Sequence, residues 1–388
     1  MSNKNKVAVV GGAGHIGLPF SCFIASMGYE VMIIDNNVDA LKKINNNEPP
    51  FLEEGLEDYI KNANKNNLTT DTNIKNVNNH KYLIVTLGTS SEQVEIDKFR
   101  ELISELIEFA SPDSFLILRS TVTINEINKI NTDKLLNEKN IKLFYCPERI
   151  AEGKSLKEIK DLPQIIGSKD PDDASSIVKF FETLNIKTLV TSLENAAFLK
   201  LFTNAYRYAE FTLVNEFFNL AEKNNINFEE ILKLACIDYP RLSSIPSYGF
   251  VGGPCLIKDT KTFIEQYSKD SDVLISLKET NDKFLNLIIE KCLTNFPSKK
   301  LIQIGLTFKP NSDDLRSSIS LELYKRLKEK GFSIYPVDHH LIDKEIDFEL
   351  FDYQEVKDET DNILISTYHE FVRDLNLMDK KVLTVGYK

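Results

Sequence analysis

Short β-branched and apolar runs alternate with stretches of helical spacing at both ends of this 388-residue chain. The alternation predicts an α/β fold, because a helix after each strand carries the chain back across the sheet and makes neighbouring strands parallel. The predicted strands are residues 7–11, 31–35, 82–87, 115–120 and 142–146, and then 300–306, 332–338, 362–367 and 381–386. Two groups so far apart in the sequence indicate two parallel sheets.

The middle of the chain predicts helices rather than strands. Residues 172–239 contain neither Gly nor Pro, and within them residues 194–223 carry apolar side chains near helical spacing. A helix that is apolar most of the way round packs on several sides, so we expect one long buried helix there. Further helices are expected at 273–295 and 317–330, whereas the Asn-rich stretch 62–79 predicts a loop or a weak helix.

Composition excludes several classes of function. The chain carries 47 Lys and Arg against 58 Asp and Glu, a net charge of −11, which is the wrong sign for a nucleic-acid-binding protein. No apolar run reaches the roughly 18 residues of a membrane helix, and the first residues lack the apolar stretch of a signal peptide. Five scattered cysteines form neither a disulfide framework nor a metal-ligand pattern. We therefore expect a cytoplasmic protein with reduced thiols and no metal, membrane or nucleic-acid partner.

The segment VAVVGGAGHIG places Gly12, Gly14 and Gly17 in a G-x-G-x-x-G register between a strand and a helix. Glycine permits the tight turn, the close approach of a pyrophosphate and close helix–strand packing, as in Rossmann-like dinucleotide-binding domains. Asp35 ends the next strand, where a carboxylate accepts hydrogen bonds from the adenosine ribose and repels a 2′-phosphate. The pattern therefore predicts NAD rather than NADP; the alternative is a glycine-rich turn that binds nothing. The candidate loop residues are Gly12, Ala13, Gly14, His15, Ile16 and Gly17.

A second glycine-rich turn, GFVGGPCLIKD at residues 249–259, precedes a helix expected to begin near Cys255. The N–H groups and dipole of a helix N-terminus stabilise a thiolate, as does a nearby cation such as Lys258. Asp259 is four residues after Cys255 and therefore lies on the same side of the helix. We predict a reactive thiol at Cys255; the alternative is a small buried apolar residue, the common role of a free cysteine.

Two further pairs are spaced four residues apart. Glu148 and Glu152 lie in PERIAEG, after the last predicted strand of the first group, where Rossmann-like sheets bind their ligands. Lys200 and Asn204 lie on one side of the long apolar helix, where burying them without partners is costly. Both pairs are candidates for catalysis; the alternatives are a solvated loop for the glutamates and a structural cap for Lys200 and Asn204.

Six motifs follow one another along the chain: G-x-G-x-x-G from Gly12, RSTV at 119–122, PERIAEG at 147–153, K-x-x-x-N from Lys200, GGPCLIKD at 252–259 and GLTFKPNSDDLRSS at 305–318. In this order they make the chain resemble the UDP-glucose/GDP-mannose dehydrogenase family, the nucleotide-sugar 6-dehydrogenases, over nearly its whole length. We therefore expect an α/β protein with two Rossmann-like domains, joined by a long central helix and a helical middle domain. The expected domains are an NAD-binding domain at 1–190, a central dimerisation domain at 191–296 and a UDP-sugar-binding domain at 297–388.

The resemblance implies oxidation of a sugar C6 alcohol to a carboxylate with two NAD, a four-electron change. Cys255 would capture the aldehyde that forms first as a thiohemiacetal, whose oxidation gives a thioester that water hydrolyses. Lys200 and Asn204 would stabilise the developing oxyanion, an effect of roughly 3–4 kcal/mol per donor in comparable sites.

The resemblance also assigns acid–base and positioning roles. Glu148 or Glu152 would position or deprotonate the hydrolytic water, and Asp259 would assist proton transfer. Thr121 would hold a water or the nicotinamide side. Outside the glycine loop, the residues expected to contact the cofactor are Asp35, Gly88, Thr89, Ser120, Thr121, Glu152, Cys255, Lys258 and Arg316.

Substrate contacts and a homodimer are implied in the same way. Lys309 would meet the substrate, the loop 246–252 would wrap the nucleotide-sugar, and Arg241 has a position from which a neighbouring subunit contributes an arginine. The residues expected to contact the UDP-sugar are Glu148, Arg149, Glu152, Lys200, Asn204, Arg241, Tyr248, Gly249, Gly252 and Lys309. Without the resemblance, Lys309 and Arg316 fit a surface loop of ordinary charge equally well.

Three functions compete on this pattern. The form PER at 147–149 resembles the branch that acts on UDP-N-acetylhexosamines, in particular UDP-N-acetyl-D-mannosamine, with UDP-glucose as the second candidate substrate. A catalytically silent regulator that binds NAD or a nucleotide-sugar would keep the fold without needing Cys255 or Lys200. A two-electron hydroxyacid dehydrogenase would leave the cysteine motif unexplained.

Overall fold

The computed structural model describes residues 5–89, 92–267, 272–342 and 344–386. Their contacts group them into two compact units, Met1–Phe202 and Thr203–Lys388, which we call the first and the second unit. Each unit is built on one sheet with parallel strands, so the predicted α/β class with two parallel sheets is confirmed. One helix, α9 (Leu193–Lys223), crosses the boundary between the units.

The first unit contains an eight-stranded sheet. Its strands are β1 Lys6–Val10, β2 Glu30–Ile34, β3 Leu68–Asp71, β4 Tyr82–Val85, β5 Phe115–Leu118, β6 Lys142–Tyr145, β7 Gln164–Ser168 and β8 Thr188–Ser192. Its helices before α9 are α1 Gly17–Ser26, α2 Val38–Asn45, α3 Leu56–Asn66, α4 Gln93–Phe109, α5 Ile124–Asn131, α6 Lys134–Glu138, α7 Ser155–Asp161 and α8 Pro171–Thr183.

The strand order is β3-β2-β1-β4-β5-β6-β7-β8, and every pair is parallel except β6 with β7. Its first six positions have the strand order of a Rossmann sheet. The chain adds β2 and β3 on one side of β1 and then returns to add β4, β5 and β6 on the other side. Both faces of the sheet are covered, because Val7 and Val9 belong to one buried cluster and Ala8 and Val10 to another. Burial on both faces explains why the strands read as continuous apolar runs rather than as an alternating pattern.

The second unit contains four strands in the order β10-β9-β11-β12, all parallel. The strands are β9 Lys300–Ile304, β10 Ser333–Val337, β11 Asn362–Ile365 and β12 Lys381–Thr384. The helices that follow α9 are α10 Phe228–Cys236, α11 Leu256–Gln266, α12 Asp272–Asn295, α13 Ile319–Glu329 and α14 Tyr353–Val356. Helices α12 and α13 cover one face of this sheet, where Phe284, Leu301 and Leu323 belong to one buried cluster.

Three strands of the first sheet escape the sequence prediction. The expectation of a loop or weak helix for residues 62–79 is wrong at β3, which pairs with β2 at the edge of the sheet. Strand β8 is the other edge, with Leu189 and Val190 about half exposed, and β7 lies between it and β6. Short edge strands carry a weak apolar signal because only part of each is covered, which explains β3 and β8 but not β7, whose five residues are all buried.

The long central helix is present within one residue of its expected start, but it is buried on one side only. Ala197, Leu201 and Ala205 are buried, whereas other apolar side chains of α9 are between 41% and 56% exposed. These exposed side chains, which we call the α9 apolar face, are Phe198, Phe202, Tyr206, Leu213, Phe217 and Leu220. Among the described ranges, no helix is both long and apolar enough to cross a membrane.

Candidate active site

The glycine loop after β1 has the geometry of a dinucleotide-binding turn. Gly11 has a φ of +77°, and a Cβ on Gly17 would lie 2.5 Å from the Gly11 carbonyl oxygen, so these positions require glycine. A Cβ on Gly12 would lie 2.8 Å from the Val9 carbonyl oxygen, whereas a Cβ on Gly14 would make an ordinary contact of 3.7 Å with the Gly11 carbonyl oxygen. Helix α1 begins at Gly17 with neither a side-chain cap nor an acidic residue in its first turn. The helix itself therefore places no side-chain carboxylate or cap where a pyrophosphate would bind.

Asp35 follows β2 directly and connects the glycine loop to the end of that strand. Its carboxylate accepts hydrogen bonds from the Ala13 N–H and the Asn37 N–H, each at 3.0 Å. Beside it is a cavity of about 340 Å³ whose lining includes Gly11, Asp35, Asn73 and Leu87. Because each carboxylate oxygen accepts more than one hydrogen bond, Asp35 retains capacity for ribose hydroxyls.

The turns after β4 and β5 lie side by side at the same edge of the sheet. The Thr89 hydroxyl donates to the Thr121 carbonyl at 2.7 Å, so these two predicted residues are brought together. A Cβ on Gly88 would meet no atom of the described residues within 4 Å, which leaves room for a ligand to approach that backbone. Ser120 is buried, and the Thr123 side chain caps α5 by accepting from the Glu126 N–H at 3.3 Å.

Glu148 is buried in an ion pair with Arg119 and accepts the backbone N–H groups of Arg149 and Ile150 at 2.8 and 2.9 Å. Burial alone raises the pKa of this carboxyl group, but the charge and hydrogen bonds of Arg119 and the two N–H groups outweigh burial. The pKa of Glu148 therefore lies below its ordinary value. The cavity that adjoins Arg119 and Glu148 has a volume of about 20 Å³, which holds a water but not a sugar.

Glu152 lies in an irregular turn between β6 and α7, so the four-residue spacing from Glu148 does not form a helical pair. The turn is held by two other carboxylates. Glu158 accepts the Ala151 N–H at 2.7 Å, and Glu53 accepts the N–H groups of Gly153 and Ser155, both at 2.8 Å. Glu152 itself is half-buried. Its carboxylate therefore lies on a turn with a fixed backbone and reaches partly to solvent.

In the second unit, the turn that carries Cys255 is packed on the loop 305–318. Gly253 has a φ of +93°, and a Cβ there would lie 2.5 Å from the Phe308 ring. Its N–H donates to the Ser317 carbonyl at 3.0 Å. Cys255 is the N-terminal cap residue of α11 and is exposed, which agrees with the predicted position at a helix start. Two of the recognised motifs therefore meet around this thiol.

Asp259 is 1% exposed and contacts two predicted site residues. Asn204 of α9 donates its side-chain amide to Asp259 at 2.6 Å, and the Lys258 ammonium lies 3.5 Å from the other carboxylate oxygen. The Asp259 N–H donates to the Cys255 carbonyl at 2.9 Å, which keeps the carboxylate one helical turn from the thiol. Lys200, one turn before Asn204 on α9, is 7% exposed.

The loop 246–252 is fixed by Asn215, which the sequence prediction did not identify. Its side-chain amide exchanges two hydrogen bonds with Gly249, at 2.8 and 2.9 Å, and it is 1% exposed. Tyr248 is buried against Phe218 at a ring distance of 4.1 Å. Arg241, in the turn Pro240–Leu242, is exposed.

The loop 305–318 carries Lys309 and Arg316. Lys309 lies 5.3 Å from the Phe308 ring, and Arg316 pairs with Asp314 through its Nε at 2.9 Å. Behind the loop, buried His369 accepts the Asn311 N–H at 2.9 Å and lies 3.2 Å from Asp338. The sequence prediction identified neither His369 nor Asp338. His369 lies 58 residues beyond Asn311, so no local motif marks the contact.

Among the other cysteines, three are buried in apolar surroundings. Burial raises the pKa of Cys22, Cys146 and Cys292 to about 12 in each case, so these thiols stay protonated at neutral pH. Cys236 is half-buried and its thiol lies 3.5 Å from the Leu242 carbonyl oxygen. The exposed thiol at a helix start is Cys255.

The Rossmann sheet, its glycine loop and Asp35 have the arrangement of an NAD-binding domain. Three family models match successive segments: an NAD binding domain at residues 5–185, a central domain at 194–283 and a UDP binding domain at 303–386. The chain belongs to the UDP-glucose/GDP-mannose dehydrogenase family. It is a nucleotide-sugar dehydrogenase with NAD as its cofactor.

Curated relatives match along nearly the whole chain. The UDP-N-acetyl-D-mannosamine dehydrogenase of Methanocaldococcus jannaschii is 28% identical over 389 residues, covering 97% of this chain and 88% of that protein. A putative UDP-glucose 6-dehydrogenase of Bacillus subtilis is 27% identical, covering 86% of this chain and 81% of that protein. Both kinds of relative therefore have similar identity to this chain.

Solved structures share the fold. A UDP-D-ManNAc dehydrogenase from Pyrococcus horikoshii has a TM-score of 0.85 at 22% identity, covering 96% of this chain and 91% of that chain. A UDP-glucose dehydrogenase from Pyrobaculum islandicum has a TM-score of 0.87 at 19% identity, covering 99% of this chain and 94% of that chain. At these identities the likeness concerns the fold alone.

Proposed function

We propose that the protein oxidises the C6 alcohol of a UDP-sugar to the carboxylate in four electrons, with Cys255 as the nucleophile. The observation that carries the proposal is the exposed thiol of Cys255 at the start of α11, one turn from the buried pair of Asp259 and Asn204. A thiol is needed because the aldehyde made by the first oxidation must be retained for the second.

Cys255 adds to the carbonyl carbon of the aldehyde and forms a thiohemiacetal. NAD, which the glycine loop and Asp35 would hold, would supply the hydride acceptor for both oxidations. The second oxidation converts the Cys255 thiohemiacetal into a thioester. Water then attacks the thioester, and the thiol of Cys255 leaves with the proton that water loses. The N-terminus of α11 and Lys258 favour the thiolate at both ends of this sequence.

Lys200 and Asn204 are assigned to the oxygen of the reacting carbonyl. Lys200 supplies a charged donor and Asn204 an amide donor. The two residues lie one turn apart on the same side of α9. Each donor contributes roughly 3–4 kcal/mol to the transition state in comparable sites. Asp259 fixes the Asn204 amide by its hydrogen bond and assists proton transfer.

Glu152 is assigned as the group that positions or deprotonates the hydrolytic water. Of the two candidate glutamates, Glu148 is occupied by Arg119 and two backbone N–H groups, and its pKa is held low. A carboxylate with a lowered pKa is a weak base. Glu152 is half-buried, which supports its choice over Glu148. Glu148 and Arg149 then contribute by shaping the loop that precedes Glu152.

The remaining cofactor and substrate roles are assigned by segment. We assign the adenosine side of NAD to Asp35 and the glycine loop, the nicotinamide side to the turns of Thr89 and Thr121, and a further cofactor contact to Arg316. The UDP-sugar is assigned to Lys309, the loop 246–252 and Arg241. Functional domains at 1–190, 191–296 and 297–388 correspond to these roles.

UDP-N-acetyl-D-mannosamine is the proposed substrate, and UDP-glucose is the second candidate. The form PER at residues 147–149 and the identity to the Methanocaldococcus jannaschii protein support the first. The identity to the Bacillus subtilis protein supports the second almost as well. Purified protein is to be assayed with NAD and a panel of UDP- and GDP-sugars, following NADH by absorbance. We expect the highest kcat/KM with UDP-N-acetyl-D-mannosamine, and a higher value with UDP-glucose would reverse the assignment.

A catalytically silent regulator is the alternative from another class. It would bind NAD or a UDP-sugar without producing NADH, and Cys255→Ala would change nothing. The proposed enzyme loses acid formation in Cys255→Ala while NAD binding, measured by calorimetry, is retained. Undiminished turnover in that variant would exclude the thioester route.

A homodimer formed through the α9 apolar face is the proposed assembly. Six large apolar side chains about half exposed on one helix exceed what a monomer usually leaves in contact with water. Phe202→Glu and Phe217→Glu should each shift the mass measured by light scattering from two chains to one. A wild-type mass of one chain would contradict the assignment.

A further inference from the structure

We propose that Glu53 is a positioning residue for the hydrolysis step: it fixes the turn that carries Glu152. The inference rests on the proposed function, in which Glu152 acts on the hydrolytic water. Glu53 lies in the segment PPFLEEG at residues 49–55, outside every motif by which the family was recognised.

Glu53 reaches the turn across about one hundred residues of sequence. One carboxylate oxygen accepts the Gly153 N–H and the other accepts the Ser155 N–H, both at 2.8 Å. The Ser155 hydroxyl adds a longer contact at 3.4 Å. Glu53 is 7% exposed, so these bonds from N–H groups to a charged acceptor lie in a partly water-excluded place, where each is stronger than a neutral hydrogen bond.

The backbone on both sides of Glu152 is held by carboxylates. Glu158 accepts the N–H before it, at Ala151, and Glu53 accepts the N–H after it, at Gly153. Gly153 has a φ of +78°, a conformation that ordinary residues rarely adopt. The acceptor at Gly153 therefore stabilises a backbone conformation that sets the direction of the preceding Glu152 side chain.

Glu53 differs from Glu158 because it comes from a segment that also contacts the cofactor loop. Phe51, two residues earlier, packs on His15 of the glycine loop with ring centroids 4.0 Å apart. Ser155 begins α7, whose first turn has no side-chain cap of its own, so Glu53 also serves as the acceptor at that helix start. The segment 49–55 therefore contacts both the cofactor loop and the Glu152 turn.

A general base must be placed within a fraction of an ångström of its water, and a displacement of about 1 Å costs on the order of 100-fold in rate. Removing the Glu53 charge should therefore slow hydrolysis of the thioester, which needs Glu152, more than the oxidations, which do not. Glu53→Gln keeps the size and one acceptor but loses the second acceptor and the charge. Glu54→Gln is the matched control, because Glu54 is adjacent and exposed.

In Glu53→Gln we expect steady-state kcat to fall about 10- to 100-fold, the range given by such a displacement. Both KM values should fall with it, so that kcat/KM changes less than about threefold, because kcat/KM reports only the steps that precede hydrolysis. A rapid burst of NADH should persist, and intact-protein mass spectrometry should detect the acyl-enzyme. Hydroxylamine, which attacks a thioester without a base, should restore turnover in Glu53→Gln and in Glu152→Gln, with no effect on Glu54→Gln. A purely structural role would lower burst and turnover together, with no rescue.

Wild-type turnover in Glu53→Gln, or loss of the burst without hydroxylamine rescue, would overturn the positioning role while the proposed function stands. If Glu53→Gln does not fold, Glu53→Asp serves as the test, because it keeps the charge on a shorter side chain. Glu53→Asp should accumulate acyl-enzyme, to a smaller extent than expected for Glu53→Gln. Hydrolysis at the wild-type rate in Glu53→Asp would overturn the positioning role. A wild-type enzyme that yields no acid from any UDP-sugar would instead overturn the proposed function, and this inference with it.

Discussion

Asn204 donates its side-chain amide to the buried carboxylate of Asp259 at 2.6 Å, joining two residues 55 positions apart. One is on the long central helix and the other is in the first turn of α11, so the contact fixes the cysteine-bearing helix against α9. Because Asp259 is almost fully buried, the Asn204 donor compensates part of the cost of removing its charge from water.

Asn204→Ala should lower the free energy of unfolding by about 1.5–3 kcal/mol, the usual contribution of a hydrogen bond to a buried charge. Asn195→Ala is the control, since Asn195 is on the same helix but exposed, with a side-chain bond to Thr191 at 3.1 Å. Urea denaturation measures both. Equal decreases in the free energy of unfolding of the two variants would show that the contact with Asp259 contributes no more to stability than an exposed side-chain hydrogen bond.

Acid should destabilise the first unit through Glu148. Its pKa is lower in the folded chain than the ordinary value of about 4.3, so the carboxylate contributes stability above that pH, and the contribution is lost as pH falls through the folded pKa. Glu148→Gln leaves Arg119 buried without its carboxylate and should cost about 3–5 kcal/mol at pH 7.

The difference in unfolding free energy between wild type and Glu148→Gln should become smaller below pH 4, because protonation then removes the negative charge of Glu148 from the wild type as well. Glu57→Gln, at an exposed pair with Lys61, serves as the control and should leave the unfolding free energy nearly unchanged at each pH. Urea denaturation over a pH series measures the gap. A gap of constant size from pH 7 to pH 3 would argue against a lowered Glu148 pKa.

Thiol labelling should separate Cys255 from the buried cysteines. Cys22, Cys146 and Cys292 are buried with pKa values raised to about 12, so iodoacetamide at pH 7.5 should leave them unmodified in the native protein. The fast-reacting site should be Cys255, identified by peptide mass spectrometry and absent in Cys255→Ala. UDP-sugar should slow the reaction there, and labelling first at a buried cysteine would refute this ordering.

Gly253→Ala should disrupt the Cys255 turn. The new Cβ would lie 2.5 Å from the Phe308 ring, and the φ of +93° is unfavourable for alanine. Gly28→Ala has nearly the same φ, +91°, but no atom within 4 Å, so it isolates the cost of the backbone conformation, about 1 kcal/mol. We expect Gly253→Ala to lose more than 10-fold in kcat/KM and Gly28→Ala to retain activity. Similar kcat/KM values in Gly253→Ala and Gly28→Ala would show that packing of Gly253 against Phe308 does not position Cys255.

Much of the fold is predictable from sequence because buried parallel strands are continuous apolar runs, as at Val7–Val10 and Ile302–Ile304. The edge strands β3 and β8 were missed because part of their surface faces water. The long helix was located but expected to be buried all round; its apolar face is exposed in the single chain. Apolar periodicity alone does not distinguish a buried face of a helix from an exposed one.

The candidate site was predictable only where its chemistry is local in sequence. The glycine loop with Asp35, and Cys255 with Asp259, can be found by spacing. Glu53 could not be found in this way, because its partners Gly153 and Ser155 are backbone groups about one hundred residues away. His369 and Asn215 were missed for the same reason: each fixes a loop from a distant position, and nothing near them in sequence marks it.

The central claim, two successive oxidations joined by a Cys255 thioester, is tested most directly by product stoichiometry. Purified enzyme is to be given limiting UDP-sugar and excess NAD, with NADH measured by absorbance and the sugar product by mass spectrometry. We predict two NADH for each uronate formed, with no free aldehyde. One NADH for each sugar consumed, with aldehyde as the final product, would contradict the account.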